Sequence, residues 1–163
     1  NSGMGGSTYY DALEGSSPEI AKVNKEGLMA TLDAVHNLIA NDRILACHDV
    51  SEGGVATAIA EMCFGGSCGA TITINPGAGI EKEDPETALF SETAGCFVVE
   101  VPNKVNIYDL IDGVPIKPLG GTTKSQVMRV QEGYWRVVRD LFNVNIDELK
   151  QAWQTPLKAV FHD

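Results

Sequence analysis

Between Arg43 and Gly66 the chain reads RILACHDVSEGGVATAIAEMCFGG, and the run from His48 to Gly54 holds an imidazole, two carboxylates, a hydroxyl and paired glycines. His48, Asp49 and Ser51 carry the groups of a nucleophilic triad, in which imidazole and carboxylate must act in line on one hydroxyl. Neighbouring residues of a strand point to opposite faces, so His48 and Asp49 do not orient on Ser51 in that way. Nor does Ser51 sit in a G-x-S-x-G elbow. The triad reading is weak.

A phosphate and metal site suits the same residues better. A strand leads through a polar turn and two glycines into a helix, and a helix start offers free backbone N–H groups to an anion. Gly53 and Gly54 permit positive φ and close backbone approach. Asp49 stands at the carboxyl end of the strand, where sheets of this kind gather ligands. Its carboxylate is a hard oxygen donor of the kind Mg2+ prefers. Ser51 is placed to donate its hydroxyl to a phosphate or to cap the helix. A plainer reading stays open: Ser51 or Glu52 caps the helix, His48 is a satisfied core histidine, and the glycines only turn the chain. The S-x-G-G pattern is not a full Walker or Rossmann fingerprint.

These residues need elements to hold them. Ile44–Cys47 predicts a short apolar strand, and an Ala-rich helix is predicted from about Val55 to Phe64, ended by Gly65-Gly66. Upstream, Ser16 with Glu19 makes a capping box and Pro18 falls near the first helical position, which predicts a long helix. Its apolar stripe runs through Ile20, Val23, Leu28, Leu32, Val35, Leu38 and Ile39 to Asn41-Asp42. Downstream, Ala70–Ile74 and Cys96–Val101 read as strands, Glu86–Ser91 as a helical turn and Lys104–Ile111 as a short helix. Val114–Leu119 is extended and broken by Gly120-Gly121, and Gln126–Val130 pairs with Tyr134–Arg139 across Gln131-Glu132-Gly133. Asn145 with Glu148 starts a final helix that runs through Trp153 and stops before Pro156. The alternation predicts an α+β class, a mixed β-sheet layered with helices, and not a bundle or sandwich. Residues 1–15 read as a linker or entry segment and 16–163 as the domain.

At 163 residues, 44% hydrophobic and 21% charged, the chain suits one globular domain with a sizeable core. Twelve basic against 22 acidic residues leave a net charge of −10, which repels phosphate backbones and anionic lipid. Neither nucleic acid nor membrane is expected as a partner, and an anionic ligand must be held by backbone amides or a metal. No apolar run approaches the ~20 residues that span a bilayer, and no signal peptide is visible. The start at Asn1, with Gly/Ser-rich residues behind it, reads as a piece of a longer polypeptide. Cys47, Cys63, Cys68 and Cys96 form no C-x-x-C pair and read as buried thiols of a cytosolic protein. His36, His48 and His162 do not supply zinc-ligand spacing.

Two further stretches carry chemistry-bearing residues. In ALFSETAGCFVVEV (Ala88–Val101), Glu92 falls between a helical turn and a strand, where a solvated turn carboxylate is the commoner outcome. In PLGGTTKS (Pro118–Ser125), small and hydroxyl residues with one lysine could cradle an anion, but a loop between strands is favoured. His36, Trp135 and Trp153 read as surface or core packing.

Taken together, HDVSEGG followed by an Ala-rich AEM, GMGGSTYYDALEG, ALFSETAGCFVVEV and IDELKQAW resemble, in order along nearly the whole chain, the C-terminal region of phosphoribosylformylglycinamidine synthase. That enzyme is the synthetase of purine biosynthesis, in the aminoimidazole ribonucleotide synthetase-related superfamily. The resemblance implies the superfamily's C-terminal domain fold, partly ferredoxin-like, and a cytoplasmic ATP-dependent ligase. In that reaction formylglycinamide ribonucleotide, ATP and glutamine-derived ammonia give formylglycinamidine ribonucleotide, ADP and phosphate. It further implies that this is the last domain of the second of two duplicated halves, where the large form of the enzyme holds a non-reactive auxiliary nucleotide.

On that resemblance Asp49 is the Mg2+ ligand, and Ser51, Gly53, Gly54 and Glu92 belong to the ATP/ADP site, with no catalytic residue on this chain. The first half's Glu-Ser-Gln contacts substrate, and here Glu92 stands while Thr93 and Ala94 replace the other two. The implied partners are the N-terminal domains of the same synthetase and a glutaminase component as ammonia source, with homodimerisation of the isolated domain open. The isolated domain is expected to be inactive. A non-catalytic assembly domain with an empty auxiliary site, or the C-terminal domain of a superfamily kinase, are the alternatives.

Overall fold

In the computed structural model, the described residues are 4–15, 20, 22–75, 84–134 and 137–160. In chain order the elements are α1 (Thr8–Ala12), α2 (Lys25–Ala40), β1 (Ala46–Asp49), α3 (Gly54–Gly66), β2 (Gly69–Ile74) and α4 (Pro85–Phe90). Then follow β3 (Phe97–Glu100), a 3-10 turn (Ile107–Asp109), β4 (Gly120–Thr123), β5 (Val127–Tyr134), β6 (Val137–Asn145) and α5 (Ile146–Val160). The class is mixed α+β, with the strands divided between two sheets. The chain forms two compact units, Asn1–Ala58 with Glu86–Pro118 and Ile59–Pro85 with Leu119–Asp163.

The first unit is built on the antiparallel pair β1–β3, with Ala46 opposite Glu100 and Asp49 opposite Phe97. The strand begins two residues later than Ile44 and includes Asp49 as its last residue. Helix α2 starts later than its apolar stripe suggests. The side chain of Asn24 caps it by accepting from the Gly27 amide at 3.2 Å. Ile20, expected in the helix, instead makes an antiparallel bridge with Met4, and Val23 precedes the cap. Ser16, Ser17, Pro18 and Glu19 lie outside the described residues. Of the stripe only Leu38 is buried, while Met29 on the same helix is 59% exposed. The helix expected over Lys104–Ile111 is a single 3-10 turn, capped by the Asn106 side chain on the Tyr108 amide.

The second unit holds the mixed sheet β4-β2-β5-β6, in which β2 runs antiparallel to β4 and parallel to β5. Strand β2 alternates as a half-buried strand should, with Ala70, Ile72 and Ile74 inside. Ala70 pairs with Met128 and Ile72 with Val130, and these four buried side chains share one face. Gly120 and Gly121 open strand β4, and no strand directly precedes them for them to break. A Cβ at Gly120 would run into the Thr71 carbonyl, so glycine is what lets β4 close on β2.

The expected hairpin is present, but β5 runs through Gln131-Glu132-Gly133 to Tyr134, and β6 resumes at Val137. Trp135 lies outside the described residues. Cross-strand bonds account for the extension: Arg139 to Glu132 at 2.7 Å and Gln131 to Asp140 at 2.6 Å. Asn145 caps α5 by accepting from the Asp147 amide at 2.8 Å and the Glu148 amide at 3.4 Å. The helix does not stop at Pro156 but continues to Val160. A proline there forfeits one helical hydrogen bond without forbidding the next turn. Trp153 packs its ring 5.9 Å from that of Phe64 and remains 50% exposed. Among the described residues no helix is long and apolar enough to cross a membrane.

Candidate functional site

Strands β1 and β3 end together and part into two loops. The Val50 amide donates to the Cys96 carbonyl at 2.9 Å, just beyond the Asp49–Phe97 pair. Between the loops lies a cavity of about 460 Å3 whose walls include Leu28, Asp49, Ser51, Glu92, Ala94 and Cys96. The structure therefore brings Glu92 beside Asp49 and Ser51, which precede it by some forty residues in sequence. Asp49 is open to solvent, its side chain 64% exposed. The ring of His48 turns toward its neighbour: Nδ1 donates to the Asp49 carbonyl oxygen at 2.7 Å and lies 3.6 Å from Asp49 Oδ1. His48 is thus a half-buried packing residue that braces the strand end.

The strand–helix turn departs from expectation at its amides. Gly53 and Gly54 adopt φ of +78° and +69°, as a tight glycine turn requires. Their N–H groups, expected to be free for a phosphate, are donated inside the chain. Gly54 donates to the Ser51 carbonyl at 3.0 Å and Gly53 to Glu92 Oε1 at 2.9 Å. A Cβ on Gly54 would stand 2.6 Å from the Leu89 carbonyl oxygen and 2.7 Å from the Phe90 backbone. The glycine there serves close packing against the end of α4. Thr57 closes the turn by donating its hydroxyl to the Gly53 carbonyl at 3.1 Å.

Glu92 is not a solvated turn carboxylate. Its Oε1 also accepts from the Thr8 amide at 2.8 Å, a partner 84 residues away in the chain. Partial burial pushes this carboxyl up, but the amide bonds from Gly53 and Thr8, with a smaller bond from the Thr8 hydroxyl, together outweigh it and hold the pKa below its ordinary value. Thr8 belongs to a segment read as a linker, and nothing in its local sequence marks it as Glu92's partner. Within that same segment Met4 and Ser7 are buried, and the Ser7 side chain caps α1.

The cysteines are all free, but only Cys63 is fully buried and Cys96 is exposed on the cavity wall. Burial pushes the Cys96 thiol up, and burial followed by the Asp49 charge does the same to Cys47, so neither is activated. In the Pro118–Ser125 stretch, Thr123 and Ser125 bond to each other through their hydroxyls at 2.8 Å, at the end of β4. His36 is exposed on α2, and His162 lies outside the described residues. A G-x-S-x-G pattern does occur at Gly65–Gly69, but it passes from helix into strand, the reverse of a nucleophile elbow.

Mg2+ is the group these residues have to fit. Among the described residues no group of three His, Cys, Asp or Glu side chains is placed to hold a metal. An all-protein cage is thus not what the described residues offer. One exposed carboxylate on a cavity wall, Asp49 beside Ser51, does fit the way Mg2+ is commonly held, by one or two carboxylates with phosphate oxygens and water.

Comparison with known proteins gives the family. The description AIR synthase related protein, C-terminal domain, matches residues 1–132. The phosphoribosylformylglycinamidine synthase subunit PurL of Frankia casuarinae is 33% identical over 90% of this chain and 18% of that protein. The PurL subunit of Halobacterium salinarum is 35% identical over 85% of this chain and 17% of its own length. The chain therefore spans about a fifth of the length of the curated relatives it matches. Among solved structures, T. maritima PurL complexed with FGAR aligns with a TM-score of 0.60 at 20% identity, over 75% of this chain and 20% of that one. T. maritima PurL complexed with ATP aligns with a TM-score of 0.56 at 19% identity, over 74% and 21%. With the mixed α+β architecture already described, these matches settle the family: the chain belongs to the C-terminal domain family of AIR synthase related proteins.

Proposed function

We propose that this chain is the C-terminal domain of a PurL-type synthetase, the ATP-dependent ligase that converts formylglycinamide ribonucleotide to formylglycinamidine ribonucleotide. The observation that carries the reading is the likeness to PurL subunits along 85–90% of the chain at 33–35% identity. Residues 16–163 are taken as the domain and 1–15 as the segment leading into it. Its partners on this reading are the N-terminal domains of the same synthetase and a glutaminase component that supplies ammonia, in the cytoplasm. Alone, the domain is inactive, because it supplies only one wall of the site.

Asp49 and Ser51, on the rim of the cavity, are the residues we assign to a Mg2+-nucleotide at an auxiliary position. The metal, when bound, neutralises phosphate charge that a chain of net charge −10 would otherwise repel. Asp49 offers it an exposed oxygen at the strand end, and Ser51 a hydroxyl. Gly53 and Gly54 contribute the shape of the turn, since their amides are already donated. That last observation favours, as a second reading, an assembly domain whose auxiliary site is empty.

One variant separates the two. In the full-length synthetase, Asp49→Asn is expected to lower the retained nucleotide and the melting temperature while leaving kcat nearly unchanged. Unchanged nucleotide content and Tm would leave the assembly role and remove Asp49 from any metal site.

A further inference from the structure

We propose that Glu92 is a positioning residue, whose single carboxylate oxygen ties the entry helix α1 and the strand–helix turn at Gly53 to the loop that follows α4. The inference does not depend on what the cavity binds. It stands on four contacts within the first unit. Oε1 accepts from the Thr8 amide at 2.8 Å and from the Gly53 amide at 2.9 Å. Next to it, the Tyr9 ring stacks on Phe90 with centroids 4.7 Å apart and planes 11° from parallel. The Gly54 backbone, too, lies against Leu89 and Phe90 closely enough to exclude a Cβ.

The consequence is geometric. The loops 50–53 and 92–96 leave the β1–β3 pair side by side, fastened at the strand end by the Val50–Cys96 bond. At the far end Glu92 fastens them again through Gly53, so the rim that carries Ser51 is held at both ends. The same oxygen holds α1, a helix of five residues that has too few internal bonds to persist unaided. Glu92 is itself held from behind, by Ser91, whose amide donates to Thr87 and whose hydroxyl bonds Thr93 at 2.9 Å. A carboxylate accepting two amide N–H bonds is among the stronger arrangements available to a neutral donor. The Gly53 amide is therefore unavailable to an outside phosphate for as long as it donates to Glu92.

The test is site-resolved amide hydrogen exchange on the whole chain. In Glu92→Ala the Thr8 and Gly53 amides are expected to exchange about tenfold faster, and together, as one charge-assisted bond is lost at each. The Val50 amide in the β1–β3 ladder keeps its protection. Glu92→Gln, which retains a carbonyl acceptor at the same reach, restores both. Thr8→Pro deletes the Thr8 donors, amide and hydroxyl, and leaves the Gly53 donor in place: Thr8 is the first residue of α1 and Ser7 before it is extended (φ −75°, ψ 151°), so proline fits there. In that variant α1 is released to proteolysis while Gly53 stays protected. The proposal is overturned if either amide keeps its wild-type exchange in Glu92→Ala, if Glu92→Gln restores neither, or if Thr8→Pro leaves α1 as protected as before. Should Glu92→Ala fail to fold, the Gln and Pro variants decide it.

Discussion

Gly54 shows how one atom decides between two accounts of a motif. A glycine at the start of a helix after a strand invites a phosphate reading, because backbone approach and free amides are what phosphates need. In this fold the space beside its Cα is filled by the Leu89 carbonyl and the Phe90 backbone, at 2.6 and 2.7 Å from where a Cβ would be. Neither can rotate away, unlike the Thr57 side chain that crowds Gly53. Gly54→Ala therefore adds a backbone clash to the strain of φ +69°, and is expected to cost at least about 2 kcal/mol in urea unfolding. Gly65 is the control. It lies in the same helix with nothing near its missing Cβ, and Gly65→Ala is expected to be neutral or to gain up to ~1 kcal/mol. If both variants unfold at the wild-type midpoint, the close approach does not constrain position 54.

At the scale of elements, the Asn145 cap was readable, whereas the Asn24 cap of α2 and the strand register were not. Asn145 announces α5 in the sequence, and in the fold its side-chain oxygen takes the Asp147 and Glu148 amides. Asn145→Ala is expected to cost about 1 kcal/mol and to fray the first turn of α5, seen as lost amide protection at those two residues. An unchanged urea midpoint with full protection would show that the Gln126 carbonyl, which accepts from the Ile146 amide, is enough to start the helix. The apolar runs of β1, β2 and β3 and the alternation of β2 were equally legible, because burial imposes a period on residue type. What failed were boundaries set by pairing partners. Gly120-Gly121 signals a break only if the chain is considered alone, but against Thr71 it is the condition for pairing. Gln131 and Glu132 look like turn residues until Asp140 and Arg139 lie across from them. The site followed the same rule. Asp49, Ser51 and Glu92 could be picked by chemistry, whereas Thr8, which fixes Glu92, does so mainly through its backbone N–H, and that leaves no pattern in the sequence.

At the scale of the whole molecule, charge and length set what the chain can do alone. Its net charge of −10 gives a phosphate no general attraction, so any nucleotide must be held by specific donors or by a metal. What this chain brings to its cavity is little that could hold an anion: the carboxylates of Asp49, Glu52 and Glu92, the Ser51 hydroxyl, and beside them two glycine amides already committed to Glu92 and Ser51. A single Mg2+ ligand without a second wall leaves the ion and its phosphates largely in water, where most of their binding energy is returned to solvent. The chain also spans only about a fifth of the PurL subunits it resembles. Calorimetry of the isolated chain with Mg-ADP is accordingly expected to show no saturable heat up to about 1 mM, a Kd that corresponds to only ~4 kcal/mol. A Kd in the micromolar range would mean that the cavity between loops 50–53 and 92–96 is a complete site. It would also require the Gly53 amide or another donor to be released on binding, which exchange at Gly53 and Thr8 in the presence of nucleotide would register directly.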